Sequence, residues 1–303
     1  MEQFLAITMR NMKIYLRDRG AVFFSLLSTF IVIGLMVFFL GDMNIEGILG
    51  ILEEIPGRDA TEDKKNAELL VLSWTSAGIL SINAVTVTLA VFSGMIKDRV
   101  SGKLNSIYTS PVSRVTIAAG YIAAAWISSV IVCILTLVVT EVYAVAQGLE
   151  AYDVVAHLQI LGLIMVNSFV FATLMYPVAL IAKTEGAWSG LGTVVGTLVG
   201  FLGGIYIPIG ALSNAIVGLM KCTPILYSTA MFRKIMNGEI IEKTFAGTSQ
   251  ELIKEYRMEM GVDLQVFEHL LTVTQEWLLL LGCGILFLMV SACMLKYGKK
   301  TDR

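Results

Sequence analysis

The chain has 303 residues, 56% of them hydrophobic and 15% charged, with a mean hydropathy of +0.77 and a formal net charge of −2. A soluble domain carries about 25% charged residues, so this composition excludes a soluble enzyme and a disordered chain, and the near-zero charge excludes a nucleic-acid binder. Four cysteines without paired spacing exclude a disulfide scaffold and a zinc ribbon.

What remains is a polytopic membrane protein. A helix needs about 20 apolar residues to cross a hydrocarbon core about 30 Å thick. In chain order the candidates are Ala21–Leu40, Leu69–Ile96, Val115–Thr140, Val154–Ala182, an uncharged run from Gly186 to Met220 too long for one simple span, and Trp277–Leu295. Met1–Arg19 is too long and too interspersed with charge for a signal-peptide n-region, and Phe39–Asp42 offers no small-x-small cleavage site. The first apolar segment is therefore expected to remain in the mature protein.

Met1–Arg19 predicts an amphipathic helix on the membrane surface. Leu5, Met9, Met12 and Leu16 form one apolar stripe, while Gln3, Arg10, Lys13 and Arg17 gather on another face. The connection Lys97–Arg114 predicts a short helix presenting Leu104, Ile107 and Tyr108 together, stopped by Pro111, with Ser113 capping the next span. An apolar patch rimmed by Lys97, Arg99, Lys103 and Arg114 reads as a docking surface for a partner. In a six-span arrangement the side holding both termini and this connection carries 13 basic and 5 acidic residues, against 9 and 19 on the other side. The positive-inside rule then expects cytoplasmic termini.

Polar residues within the spans are few. Ser76, Asn83 and Thr86 share one face of the second span, where lining a pathway and bonding to a neighbouring helix are equally good readings. Asn167, with Thr173, lies mid-way along the fourth span and reads as a helix-to-helix hydrogen bond. Gly192, Gly196, Gly200 and Gly204 recur every four residues in the fifth span, a ladder that lets another helix approach closely. Pro208 is expected to break that span, with Ile209–Met220 forming a re-entrant or interfacial piece. Arg233–Glu276 is expected to lie outside the membrane, with Thr248 and Glu251 as a capping box and Asp263 capping a second short helix. With no charged residue inside any expected span, a proton or sodium relay has nothing to run on, and a neutral, amphipathic or lipid-like cargo is expected.

Catalytic signatures are missing. Ser101-Gly102-Lys103-Leu104 lacks both the first glycine and the hydroxyl of a phosphate loop. His157 and His269 lie far apart, and no metal-binding spacing joins them to Cys133, Cys283 or Cys293. Ser189 and His157 fall at opposite ends of their spans, whereas a nucleophile and its base must approach to about 3 Å.

The residues around Gly102, together with Thr109-Ser110-Pro111-Val112-Ser113-Arg114, resemble the signature of ABC-2 type permeases, the membrane subunits of ATP-driven exporters. Phe201–Pro208 followed by Pro224–Tyr227 resembles the family's glycine-and-proline end of the fifth span. Members often carry a glutamate three residues after the glycine; this chain has Asn105. The resemblance covers nearly the whole chain. It implies an all-α, single-domain membrane protein over residues 1–303, with an interfacial helix (1–19), six transmembrane helices, a cytoplasmic coupling segment (97–114) and short extracytoplasmic helices (233–276). It further implies a second copy of the permease and two copies of a cytoplasmic ATPase, which binds the ATP and magnesium. This chain is expected to bind no cofactor and to catalyse nothing. Arg99, Gly102, Leu104, Asn105, Ile107, Tyr108, Pro111 and Arg114 would contact the ATPase. The expected cargo is an amphipathic drug, antibiotic, peptide or lipid leaving through the cell membrane. Export of a glycan or lipid-linked polymer and a non-transporting scaffold are the alternatives.

Overall fold

The computed structural model describes residues 1–35, 41–53, 55–266 and 269–297. The end of the first expected span (36–40) and the basic residues of the tail (Lys299, Lys300 and Arg303) lie outside the described residues. The chain is built from α1 (Glu2–Arg17), α2 (Arg19–Leu35), α3 (Gly41–Leu52), α4 (Ala60–Val100), α5 (Lys103–Tyr108), α6 (Arg114–Ala146) and α7 (Val154–Ile181). There follow α8 (Glu185–Leu202), a 3₁₀ turn (Ile209–Ala211), α9 (Asn214–Lys221), α10 (Pro224–Thr244) and α11 (Gln250–Glu259). A minimal antiparallel hairpin, β1 (Gln265–Val266) with β2 (His269–Leu270), leads into α12 (Val273–Tyr297).

α4 is the axis. Its 41 residues make a rod about 62 Å long at 1.5 Å per residue, twice the hydrocarbon thickness. Asp59 caps its first turn by accepting from the Thr61 N–H at 2.8 Å, and Glu62 and Asp63 follow, while Lys97 and Arg99 fill its last turn. Both ends thus complement the helix dipole. Between them small and polar residues (Ala77, Gly78, Ser81, Ala84, Thr88) are buried among branched ones, because α6, α7, α8 and α10 surround this helix. Ser113 caps α6 as its position predicts, accepting from the Thr116 N–H at 3.0 Å. Among the described residues, four helices, α4, α6, α7 and α12, are long and apolar enough to cross a membrane, and α9 and α10 together pass the same test but meet at 92°.

The fifth expected span departs from the sequence reading. α8 climbs along α4, from Trp188, whose indole N–H donates to the Leu89 carbonyl (3.2 Å) and the Ser93 hydroxyl (3.0 Å). The helix stops at Leu202, six residues ahead of Pro208, and Ile205 packs against Gly78. The chain then turns through the 3₁₀ segment and α9 and resumes as α10. This helix continues along α4 from Ser228 beside Ser81 (3.4 Å) to Asn237, which accepts from Ser73 at 2.7 Å. Arg233 to Thr244 are the second half of this packed helix. α11 is capped by Ser249, not Thr248, and Asp263 caps no helix but pairs with Arg257 and Lys234.

The glycine ladder is shorter than its spacing suggests, because α8 ends before Gly204. Gly204 lies beyond the helix with φ +63°, and a Cβ on Gly200 would run into the Tyr206 ring of the chain's own return. A Cβ on Gly192 or Gly196 would meet nothing within 4 Å. Gly200→Leu should therefore lower the melting temperature of the purified protein by overpacking, typically about 1–3 kcal/mol, whereas Gly196→Leu should melt like the parent. Equal effects at the two positions would contradict this placement.

α1 inverts the usual amphipathic arrangement. Its polar Thr8 and Asn11, with Tyr15, are buried against α4 and α6, while Leu5, Met9 and Leu16 point outward. Gly120 of α6 makes room for Ile7. The exposed apolar stripe is the face a membrane would cover.

Candidate functional site

The end of the molecule that carries Arg10, Lys97, Arg99 and Lys103 is organised around the last turn of α4. Asp98 is buried there and holds three elements together. It accepts from the Arg10 guanidinium of α1 (2.9 Å) and from the Tyr121 hydroxyl of α6 (2.9 Å). Hydrogen bonding to Asp98 raises the Arg10 pKa against the cost of its partial burial. Arg99 points the other way. Its guanidinium donates to the carbonyls of Ala179, Leu180 and Ala182 (3.1, 3.1 and 2.6 Å) and so satisfies the free carbonyls at the end of α7.

Gly102 makes the turn from α4 into α5 with φ +75°, a conformation that costs a residue bearing a side chain about 1–2 kcal/mol. α5 then lies with Leu104 buried at 2% exposure and Ile107 and Tyr108 packed on the same core. The guanidinium of Arg114 sits 5.5 Å over the Tyr108 ring, and Ser113, Pro111 and Arg114 are exposed. The sequence reading had Leu104, Ile107 and Tyr108 facing a partner, and this is corrected. Those side chains bind α5 to its own bundle, chiefly to α4. The face left outward is polar: Lys103, Asn105, Ser106 and Thr109.

A cavity of about 640 Å³ opens beside this turn, between the α1–α2 bend, α4 and α8. Tyr15, Phe24 and Trp188 give it aromatic walls, and Asp18, Lys97 and Glu185 stand at its polar side, with Lys97 3.9 Å from Asp18. At the opposite end a second cavity of about 710 Å³ is lined by charged residues of α4, α10 and the 148–153 turn, among them Glu62, Glu150 and Lys243.

The sequence-predicted pathway residues line neither cavity. Ser76 and Thr86 donate to carbonyls one turn back in α4, and Asn83 donates to Thr136 of α6 at 2.8 Å. Of the three, Asn83 bonds to another helix, while Ser76 borders a narrow pocket with Ser73 and Thr140. Asn167 is buried at 1% exposure with no hydrogen-bond partner for either amide atom, so the expected interhelical bond is not made.

Sequence reasoning missed two groups. Asp98 was hidden as one acid in a basic connection; that lone opposite charge between Lys97 and Arg99 was its signal. Arg233, which the sequence places only at the start of the outer segment, is fully buried, stacked 4.2 Å over the Trp74 ring, and donates to the carbonyls of Gly204 (2.7 Å) and Met260 (3.0 Å). Lys234, Asp263, Glu276 and Arg257 extend this cluster. Burial alone would raise the Asp263 carboxyl, but Arg257 and Lys234 outweigh it and hold the group below its ordinary value.

The family described as ABC-2 family transporter protein matches residues 53–293, from the turn before α4 to the last turns of α12. The chain belongs to the ABC-2 transporter family. It is a multi-pass membrane protein and a permease subunit of an ABC transporter, a family whose members associate with an ABC ATPase. A search of curated proteins returns no match. In this permease the α4–α5 turn built on Asp98, Arg99 and Gly102 joins the cavity wall directly to the most exposed polar surface of the basic end.

Proposed function

We propose that this permease is the membrane half of an ATP-driven exporter, and that the cleft between α2, α4 and α8 receives an amphipathic or lipid-like compound from the cytoplasmic side. The observation that carries this reading is continuity. Lys97 lines the cleft and, five residues on, Gly102 starts α5, so any force on α5 is delivered to the cleft wall through one rigid helix. The mixed lining of aromatic rings and a few charges suits an amphiphile better than a hydrated ion. In this reading α2, α4, α6, α7, α8 continued by α10, and α12 make six crossings, with both termini in the cytoplasm and the chain in the cell membrane. Two permeases pair with two ATPase subunits, and the ATPase supplies ATP, magnesium and hydrolysis.

The polar face of α5 is the proposed docking surface. Lys103→Glu combined with Ser106→Glu reverses and adds charge on exposed positions without touching Leu104. The purified variant should melt like the parent but retain markedly less ATPase, with cargo-stimulated turnover lost in proportion. A full complement of bound ATPase would remove α5 as the docking element. Orientation has its own test. In a background lacking the four native cysteines, single cysteines at the exposed Thr61 or Ser249 should react with an impermeant thiol reagent on whole cells. A cysteine at Ser106 should react only after the membrane is opened; labelling it from outside would invert the topology.

A further inference from the structure

Between α7, α10 and α12 lies a cavity of about 280 Å³ that is separate from the cleft beside α5. Gln159 and Val273 are exposed at its margin, whereas Met231 and Glu276 are buried within it, and Trp277 adds an aromatic wall. Glu276 is fully buried. Its Oε1 accepts from the Lys234 ammonium at 2.7 Å, but its Oε2 is buried with no hydrogen-bond partner among the described residues. Lys234 has nothing more to give, since its ammonium also serves the Leu271 carbonyl (3.2 Å) and Asp263 (3.5 Å). Asp263 is in turn held by Arg257 at 2.7 and 3.2 Å. The cluster is thus satisfied except at one carboxylate oxygen, and a buried acceptor left unpaired is costly.

We propose that this cavity binds the primary ammonium group of an amphiphile, with Glu276 Oε2 accepting one of its N–H bonds. The level in the structure fits such a ligand. Glu276 stands in the first turn of α12, and Val273 and Leu279, one turn before and after it on the same face, are exposed. An alkyl chain lying along those two side chains brings its headgroup to the cavity mouth. An anionic headgroup would face Glu276 and Asp263, and a quaternary ammonium carries no N–H to fill the vacant acceptor. An aminophospholipid headgroup and a free long-chain amine carry the same group. The site makes no use of α5 or of an ATPase, so it stands or falls independently of the export reading.

The test uses the full chain, purified in detergent and titrated calorimetrically with dodecylammonium. Saturable binding is expected, with dodecyltrimethylammonium and dodecyl sulfate each about tenfold or more weaker. Glu276→Gln should weaken dodecylammonium by a similar factor. Because that variant also alters the Lys234 pair, Val273→Trp provides a second arm: it narrows the exposed mouth, leaves every ion pair in place, and should abolish binding at an unchanged melting temperature. In nanodiscs, weaker apparent binding with phosphatidylethanolamine than with phosphatidylcholine assigns the site to the lipid headgroup; equal binding in both assigns it to the free amine. Equal affinity for the trimethyl analogue, or parent-like binding by both variants, overturns the proposal.

Discussion

Leu104→Asp is expected to detach α5 from the bundle while the long helices stay folded. The leucine is 2% exposed, and its burial is worth roughly 1.5–3 kcal/mol; a carboxylate in its place would add several kcal/mol of desolvation. A six-residue helix has no other means of absorbing such a cost, so it undocks. Proteolytic cleavage at Lys103 should become rapid, bound ATPase should be lost, and the helical signal should hardly change. Ser106→Asp, on the exposed face of the same helix, should leave cleavage at the parental rate. Slow cleavage in Leu104→Asp would mean that the apolar face of α5 is not what holds it.

This outcome reverses what Lys97–Arg114 suggests when read as a string. The spacing of Leu104, Ile107 and Tyr108 correctly gives a short helix with one apolar face. Periodicity, however, says only that the three share a face, not what covers it, and here the cover is the core of the same chain, chiefly α4. The Ser113 cap, the N-terminal helix and the long apolar helices α4, α6, α7 and α12 were legible because each depends on neighbours in sequence. The break after Leu202 was not, because it depends on Gly204 adopting a left-handed turn and on Arg233 reaching back to its carbonyl across 29 positions. Nor was Gly200 legible as an intrachain contact: a four-residue repeat shows which residues lie on one face, and Tyr206 fills that face only once the chain has turned back.

Arg233→Met should give the second large effect. The parental guanidinium is fully buried, donates to two carbonyls and stacks on Trp74. Methionine of similar length removes the desolvation cost of the charge, which is a gain. Against it stand two orphaned buried carbonyls at about 1–3 kcal/mol each and a desolvated cation–π contact worth about 2 kcal/mol. The losses win, and a net destabilisation of about 2–4 kcal/mol is expected. Arg233→Lys keeps the charge but is expected to reach only one carbonyl, so it should fall between the parent and Arg233→Met. Hydrogen exchange should localise the damage to Gly203–Thr223. A melting temperature equal to the parent's in both variants would show that the turn between α8 and α10 is held by something else.

The arrangement of Asp98 sets an order of events during biosynthesis. Arg10 waits for a partner 88 positions downstream, and that partner is completed only when Tyr121 has also been made. At about 5–20 residues per second, α1 spends on the order of ten seconds without these protein contacts. Throughout that interval Thr8, Asn11 and Tyr15 must remain hydrated while Leu5, Met9 and Leu16 seek the lipid surface. α1 is therefore seated well after it is made, rolling its polar face from water onto α4 and α6 once those two helices have been inserted.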